Sequence, residues 1–176
     1  PTLHIDVDVT NHVAINRAAN AIGEKPIDIL INNAGVMIQD NIDQIDPAAV
    51  RQQFEVNALA PLNVLLAFRH RLQAGSWVIN ISSRLGSISD NVSGDDYGYR
   101  MSKAAQNMLT SNLAVELSKE DICVVALHPG IVATGMTEGK GTSADEVARD
   151  LKKTIERLRQ NQSGNFLDRF GEEISW

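Results

Sequence analysis

Three short runs of apolar, mostly β-branched residues constrain the fold of this chain more than any other feature. The runs cover residues 27–31, 77–81 and 122–127, and each holds at most one strongly polar side chain. A strand with one face in water alternates apolar and polar residues, whereas a strand covered by helices on both faces is apolar almost throughout. The three runs are therefore predicted to be buried strands of a parallel sheet.

Helix signals occur between and after these runs. Asp46 and Pro47 mark one start, because an acid at the N-cap and proline at the first helical position both favour it. That helix is expected to reach residue 72, with a kink or break at Pro61. Helices are expected at residues 10–22, 47–72, 99–118 and 144–159, and shorter strands at 3–9 and 165–167. The alternation of strand and helix, without a linker, predicts a single α/β domain over residues 1–176, with a Rossmann-type doubly wound parallel sheet.

Composition argues against several classes of function. The 22 acidic residues outnumber the 16 Lys and Arg residues, the formal net charge is -6 and no basic run occurs, so neither a nucleic acid nor a membrane is expected as a partner. No apolar stretch of bilayer-spanning length and no signal peptide is seen, so a cytoplasmic protein is expected. Cys123 is the single cysteine, and the four histidines lack the spacing of metal ligands, so no metal site is predicted.

Tyr99 and Lys103 place a phenol and an ammonium four residues apart on one predicted helix. Side chains at this spacing share a helix face, with Cβ atoms about 5–6 Å apart. A free tyrosine has a pKa near ~10, and a nearby cation lowers that value toward neutrality. The pair is therefore a candidate acid–base group, although the Tyr-x-x-x-Lys pattern alone often occurs by chance.

Four further elements lie at or just beyond the ends of predicted strands, or in a facing helix. They are Asn32-Asn33-Ala34-Gly35, Asn57, Ser82-Ser83 and the stretch from Pro129 to Thr134. In order and spacing, these elements and the Tyr99–Lys103 pair resemble the short-chain dehydrogenase/reductase family from its third strand onward. The loop of residues 81–97, the His128-Pro129-Gly130 motif and the tail of residues 163–176 are similar to a carbonyl-reductase-like branch. That branch includes the insect sniffer enzyme and the bacterial C-factor proteins.

The resemblance implies an NAD(P)-dependent oxidoreductase that reduces a carbonyl compound or oxidises an alcohol. Tyr99 would be the general acid or base, and Lys103 would lower the pKa of the phenol and hold the nicotinamide ribose. Ser83 would bind the substrate oxygen, with Ser82 as the alternative because adjacent residues at a strand end point in opposite directions. Asn57 would hold a water that connects Lys103 to solvent.

The resemblance also implies contacts with the cofactor, for which NADP is favoured over NAD on the resemblance alone. Asp8 and Val9 would lie along the adenine. Asn33, Ala34 and Gly35 would let the backbone pass close to the adenosine. The stretch of Pro129, Gly130, Ile131 and Val132 would meet the carboxamide, and Thr134 the diphosphate.

The glycine-rich turn that binds the pyrophosphate in this family does not occur in these residues. By resemblance, that turn and two strands would precede residue 1, so the domain is expected to be N-terminally incomplete. Without those strands, the strand at 27–31 is expected to form an exposed apolar edge. The upstream part could be missing from the sequence, could have been removed by proteolysis, or could be naturally absent.

A natural short form would favour a second function, a C-factor-like signalling or protein-binding fragment without catalysis. The resemblance further implies a homodimer or homotetramer that forms through the helices of residues 47–72 and 97–118. The substrate is a small carbonyl compound or alcohol whose identity the sequence does not reveal.

Overall fold

The computed structural model describes residues 6–176. Its α-helices are α1 (His12–Ala21), α2 (Pro47–Phe54), α3 (Ala60–Phe68), α4 (Tyr97–Leu117) and α5 (Ala144–Ile155). Its strands are β1 (Ile27–Asn32), β2 (Leu72–Ile81), β3 (Cys123–His128), β4 (Val132–Ala133), β5 (Thr142–Ser143) and β6 (Phe166–Asp168). Strands β1, β2, β3 and β6 form a parallel sheet in that order, and β4 pairs with β5.

Helices cover both faces of the larger sheet. On one face, Val78 of β2 belongs to a buried cluster that includes Leu113 of α4. On the other face, its neighbour Ile79 lies in a second cluster, against which Leu151 of α5 packs. Val78 and Ile79 are both fully buried. This arrangement confirms the predicted doubly wound parallel sheet.

Strand β1 forms one edge of the sheet. Its inner edge pairs with β2, and within residues 6–176 no strand lies along its outer edge. Ile29 and Ile31 are consequently 45% and 49% exposed. Residues 3–5 of the strand predicted at 3–9 lie outside the described residues. Residues 6–9 form no strand.

The helix expected over residues 47–72 is divided. Helix α2 passes into a π-helix at Glu55–Leu59, α3 follows, and a 3₁₀ turn at Arg69–Arg71 ends the segment. The distortion expected at Pro61 therefore begins one turn earlier. The reason is that a proline lacks the N–H that would bond to the carbonyl four residues before it, and its ring crowds that carbonyl. That carbonyl belongs to Asn57, in the middle of the π-helix.

Strand β2 begins at Leu72 rather than at the predicted Trp77. Its pairing with β1 is irregular between Ile27 and Ile29, and Gly75 in this part of β2 has a φ of +89°. That conformation is favourable for glycine and rare for other residues. The residues in this irregular part of β2 do not form an apolar run, so the sequence pattern did not predict that the strand begins here.

A distant acid caps the N-terminus of α4. Asp40, in the loop after β1, accepts the N–H groups of Tyr97 and Gly98 through its two carboxylate oxygens. Asp96, the N-cap residue itself, makes no side-chain capping bond and has a left-handed backbone conformation. A carboxylate at the positive end of a helix stabilises it, so Asp40 fixes the turn of α4 that precedes Tyr99.

The C-terminal tail folds back onto the sheet and onto the loop after β2. The N–H of Ile174 donates to Phe166 O at 2.8 Å, and the N–H of Ser89 donates to Trp176 O at 3.0 Å. The rings of Phe166 and Trp176 stack with 5.4 Å between centroids. Across the described residues, no helix combines the length and the apolar character needed to cross a bilayer.

Candidate active site

The candidate site lies at the carboxyl ends of β1, β2 and β3, beside the first turns of α4. Gly86, in the loop after β2, approaches α4 so closely that a Cβ there would lie 2.8 Å from the Cβ of Lys103. This close approach fixes the loop that carries Ser83 against the helix that carries Tyr99. Tyr99 and Lys103 are only 8% and 3% exposed.

Burial is the main influence on the phenol of Tyr99, and it raises the pKa above the ordinary value of 10.0. A side-chain hydrogen bond with Ser83 acts in the opposite direction, and the Asp96 carboxylate raises the pKa further. Lys103 is not among the groups in the described structure that shift this pKa. The net shift of the Tyr99 pKa is upward, and the role that the resemblance implies for Lys103 stays a prediction. A phenol in this state keeps its proton at neutral pH, as a proton donor must.

The ammonium of Lys103 is anchored inside the protein by two hydrogen bonds. Its Nζ donates to Ile81 O at 2.9 Å and to Gln106 Oε1 at 3.0 Å, and it lies 5.9 Å from the centroid of the Tyr99 ring. Burial disfavours the charge and lowers the pKa of Lys103 to about 8. This amine can therefore both hold and release a proton close to neutral pH.

The two serines after β2 have different surroundings. The Ser82 hydroxyl donates to Asn107 Oδ1 of α4 at 2.6 Å, so its proton is committed to the interior. The Ser83 hydroxyl accepts the N–H of Leu85 at 3.2 Å and interacts with the phenol of Tyr99. Of the two alternatives, Ser83 is the serine that the structure brings to Tyr99.

Asn57 is fully buried and joins the loop after β1 to α4. Its Oδ1 accepts the N–H of Val36 at 2.9 Å, and its Nδ2 donates to Val36 O at 2.8 Å and to Ser102 Oγ at 3.0 Å. Both amide protons are thereby used. Its main-chain carbonyl lacks the usual donor four residues later, because that residue is Pro61. If Asn57 holds a water, this carbonyl is the group suited to do so.

A chain of buried polar side chains connects the sheet to Lys103, and sequence reasoning missed it. Asn32 Nδ2 donates to Asn80 Oδ1 at 2.8 Å, and Asn80 Nδ2 donates to Thr110 Oγ1 at 2.9 Å. Thr110 Oγ1 donates to the backbone oxygen of Gln106 at 3.0 Å, and the Gln106 side chain accepts from Lys103. Asn80 is the sequence feature that could have indicated these buried polar side chains, because it is the single polar residue in the apolar run of residues 77–81.

The residues predicted for the adenosine side lie around one cleft. Val9, Asn33 and Ala34 line a cavity of about 180 Å³ at the end of β1, together with Pro61. Asp8 is exposed beside it, and its Oδ1 accepts the N–H of Thr10 at 2.9 Å and the Thr10 hydroxyl at 2.8 Å. These hydrogen bonds lower the pKa of Asp8, which keeps its carboxylate charged.

Gly35 leaves space beside the catalytic candidates. A Cβ at this position would lie 3.4 Å from Asn57 Oδ1 and 3.7 Å from Lys103 Nζ. Any larger residue would therefore fill the space next to the ammonium. The residues present fit a ribose that approaches Lys103 from this side.

The stretch from Pro129 to Thr134 follows β3 and lies apart from the cleft at β1. Gly130 and Ile131 line a different cleft, with Arg84 and His128, and Val132 belongs to β4. The N–H of Thr134 donates to Thr137 Oγ1 at 3.1 Å, in the turn that begins at Gly135. Of the predicted cofactor residues, Val9, Asn33 and Ala34 thus line one cleft, and Gly130 and Ile131 line the other.

A family model described as short chain dehydrogenase matches residues 1–145. The chain belongs to the short-chain dehydrogenase family. This finding confirms the family that the motifs predicted.

Among the relatives of this short-chain dehydrogenase is 1-hydroxy-2-glutathionyl-2-methyl-3-butene dehydrogenase of Rhodococcus sp. (strain AD45). It is 37% identical over 182 residues, which cover 99% of this chain and 80% of the relative. The C-signal protein of Myxococcus xanthus is 39% identical over 155 residues, which cover 86% of this chain and 93% of that protein.

The fold is also that of a solved member of the family. The NADPH-bound carbonyl reductase from chicken fatty liver superposes with a TM-score of 0.92 at 32% identity, over 99% of this chain and 77% of the reductase. A carbonyl reductase and a C-signal protein thus both appear among the similar proteins, which confirms the predicted branch. In the described part of this short-chain dehydrogenase, no group of three or more His, Cys, Asp or Glu residues is placed to hold a metal.

Proposed function

We propose that this chain carries the reacting end of an NADPH-dependent carbonyl reductase, with Tyr99 as the general acid. The observation that carries the proposal is the buried phenol of Tyr99, with a raised pKa and the Ser83 hydroxyl beside it. Ser83 lies just beyond the carboxyl end of β2, and Tyr99 is in the first turn of α4 beside it; open α/β sheets bind their ligands at this edge.

The reaction needs two functions from the protein. When bound, the reduced nicotinamide supplies the hydride that the carbonyl carbon receives. The hydroxyls of Ser83 and Tyr99 donate hydrogen bonds to the carbonyl oxygen and stabilise the negative charge that develops there. Tyr99 Oη then gives its proton to this oxygen. Because the pKa of Tyr99 is raised, the phenol is better suited to carbonyl reduction than to removing a proton from an alcohol at neutral pH.

Lys103 and Asn57 are proposed to resupply the proton. Lys103 Nζ has two hydrogen-bond acceptors in the interior, which leaves one of its three protons for exchange. A water held by the main-chain carbonyl of Asn57 would pass protons from solvent to this amine. Tyr99 would regain its proton from Lys103, whose pKa of about 8 allows the amine to exchange protons near neutral pH.

The residues on this chain fit part of a nicotinamide cofactor. Gly35 leaves the space beside Lys103 Nζ, where the lysine and Tyr99 would hold the nicotinamide ribose. Val9, Asn33 and Ala34 would hold the adenosine side, with Asp8 at its margin. The stretch from Pro129 to Val132 would meet the carboxamide, and Thr134 the diphosphate. NADP is favoured because the chicken reductase of the same fold is NADPH-bound.

The proposal is tested by Tyr99→Phe, measured as NADPH-dependent reduction of a panel of aldehydes and ketones. We expect kcat to fall by about 10²–10⁴, because general acid catalysis contributes that much. NADPH affinity, followed by nicotinamide fluorescence, is expected to change little. Tyr97→Phe is the matched control, since Tyr97 lies two residues earlier on the same helix, on a different face, and should leave both quantities unchanged. Equal losses of turnover and of affinity in Tyr99→Phe would assign Tyr99 a structural role.

A second candidate function is a signalling or protein-binding domain without catalysis. The observation that favours it is the similarity to C-signal, which extends over 93% of that protein. The two functions differ in cofactor binding. Saturable NADPH fluorescence on titration supports the reductase, whereas its absence, with the protein folded by circular dichroism, supports the signalling domain.

We also propose that the protein forms a homodimer or homotetramer through its outward-facing helices. Met101, Met108 and Val115 of α4 recur every seven residues and are 51%, 62% and 69% exposed. Residues seven apart lie on nearly the same helix face. Leu59 and Leu66 show the same spacing at the neighbouring helix segment and are 43% and 61% exposed. Exposed apolar stripes of this kind are typical of protein interfaces.

A further inference from the structure

Gln106 is a fully buried amide that lies one helical turn after Lys103 on α4. Side chains three residues apart share a helix face, and Gln106 Oε1 accepts from Lys103 Nζ at 3.0 Å. The second acceptor for this ammonium is Ile81 O of β2, at 2.9 Å. Two neutral oxygens, one from the helix and one from the sheet, therefore set the position of Nζ.

The nitrogen of this amide has no partner. Gln106 Nε2 is buried and finds no hydrogen-bond acceptor in the part of the chain that the structure describes. An amide that faces an ammonium must present its oxygen, because the ammonium has three donors and no acceptor. The charged lysine thus fixes the orientation of the Gln106 amide and leaves its NH₂ group unpaired. A buried donor without an acceptor is unfavourable and rare, so the pairing is incomplete while Lys103 is charged.

The neutral amine reverses this demand. After loss of a proton, Lys103 Nζ keeps two N–H groups and gains a lone pair that can accept a hydrogen bond. Ile81 O cannot donate to that lone pair, since a carbonyl oxygen only accepts. Half a turn about the last torsion of Gln106, which has a broad and roughly two-fold profile, exchanges Oε1 and Nε2 and directs an N–H at the amine. The oxygen then takes the unpaired place, which proteins tolerate better than an unpaired N–H.

No charged group within residues 6–176 shifts the titration of Lys103, and burial alone lowers its pKa to about 8. The titratable side chain that faces it is Tyr99, with 5.9 Å between Nζ and the ring centroid. This phenol is neutral, because its pKa is raised. Gly35 and the neutral amide of Asn57 approach from the loop after β1 and from the π-helix, and β2 contributes only the oxygen of Ile81. Both states of the amine therefore occur near neutral pH.

We propose that Gln106 is a positioning residue for Lys103, whose amide rotates as the amine releases and regains its proton and so holds Nζ in both states. Gln106 itself neither gives nor takes a proton. This inference rests on the proposed reductase function, in which Lys103 must cycle its proton. An apolar residue of the same length would serve neither state of the amine, and a carboxylate would serve only the charged state.

The first test follows the proton on Lys103 directly and does not depend on turnover. In protein with ¹³C-labelled lysine, the Cε resonance of Lys103, assigned by its absence in Lys103→Met, reports the titration midpoint. Gln106→Met should lower this midpoint by about one pH unit, since a hydrogen bond to a charged group contributes about that much. Gln106→Glu should raise it, because an opposite charge favours the ammonium, and this variant decides the question if Gln106→Met fails to fold.

Gln53→Met is the matched control for the midpoint. Gln53 is also a fully buried amide, but its partners are the N–H and the oxygen of Ile38. It should leave the midpoint of Lys103 at the wild-type value. A midpoint that both Gln106 variants leave unchanged, or that moves equally in Gln53→Met, overturns the proposal.

The rotation is followed at the Gln106 amide itself. Its side-chain NH₂ resonances, assigned by their loss in Gln106→Met, should shift in wild type with the same midpoint as Lys103. They should not titrate in that range in Lys103→Met. Resonances that stay constant through the midpoint in wild type refute the rotation.

Kinetics then connect the positioning to the reaction. Gln106→Met is expected to lower kcat by about tenfold, because Lys103 is held less well for proton transfer. KM for an aldehyde should change by less than about twofold, since Ser83 and Tyr99 hold the substrate. In Gln106→Glu the pH profile of kcat should move upward by as much as the midpoint does. Wild-type turnover and an unshifted profile in both variants overturn the proposal. If wild type reduces no aldehyde or ketone, the reductase function fails, while the titration midpoints still decide whether Gln106 positions Lys103.

Discussion

Lys103 carries an ammonium at a position that is only 3% exposed. Its partners are neutral, a backbone oxygen and an amide oxygen, so within residues 6–176 no carboxylate bonded to it offsets the loss of hydration. Burial lowers the pKa from 10.5 to about 8. Between these two values, the unfolded chain binds more protons than the folded one, and the stability of the fold must rise with pH.

Comparison of wild type with Lys103→Met isolates this effect. We expect the difference in unfolding free energy, wild type minus variant, to increase between about pH 8 and pH 10.5 by up to about 3 kcal/mol, from the size of the pKa shift. Urea unfolding at a series of pH values measures it. A similar rise in Lys119→Met, which changes an exposed lysine after the same helix, would indicate a general effect of alkali. A flat difference for Lys103→Met would refute the low pKa.

At the scale of residues, the sequence was enough to identify those candidate site residues that a local pattern marks. Tyr99 and Lys103 could be paired because they are one helical turn apart, and Ser83 because it follows a buried strand. The partners that orient them come from elsewhere in the chain. Asp40 caps the helix of Tyr99 from 57 residues away, and Gln106 looks like an ordinary polar helix residue. The direction of the Tyr99 pKa shift depends on the burial of the phenol, which the sequence pattern does not show.

At the scale of elements, the π-helix next to Asn57 has a cause that can be removed. Pro61→Ala restores an N–H that can donate to Asn57 O, so a regular α-helix becomes possible. We expect the unfolding free energy to rise by about 1–3 kcal/mol, the usual difference between proline and alanine inside a helix. Turnover is expected to fall about tenfold or more, because the carbonyl proposed to hold the proton-relay water is then engaged.

Thermal unfolding and steady-state kinetics measure the two effects of Pro61→Ala. Pro47→Ala is the matched control, since Pro47 is at the first helical position of α2, where no N–H is needed. It should leave turnover unchanged. Unchanged turnover in Pro61→Ala would show that the carbonyl of Asn57 has no part in the reaction.

The elements themselves were largely predictable, and the exceptions have physical causes. The buried strands could be located within a few residues because helices on both faces require continuous apolar runs. The position of the distortion in the helix predicted at 47–72 was missed, because a proline disturbs the helical turn that precedes it rather than its own position. The start of β2 was missed because its first residues pair through an irregular segment around Gly75.

At the scale of the whole molecule, the stripe of Met101, Met108 and Val115 predicts self-association. Met108→Glu puts a charge in the centre of the stripe. It is expected to lower the molecular mass in solution from that of an oligomer, a multiple of 19.2 kDa, to the 19.2 kDa of a single chain, because burying an unpaired charge is strongly unfavourable. Light scattering coupled to size exclusion measures the mass. Val13→Glu, at an exposed valine of α1, is the matched control and should leave the mass unchanged. A wild type that is already monomeric would refute the interface.

The position of Trp176 gives the protein an intrinsic optical reporter. The sequence has two tryptophans; Trp77 lies in β2, while Trp176 stacks on Phe166 and is bonded through its carbonyl to Ser89. Replacing Trp77 with phenylalanine leaves one fluorophore, attached to the loop that also carries Ser83 and Arg84. Its emission wavelength and quenching would then follow the movement of that loop as a ligand enters, without a label and without turnover.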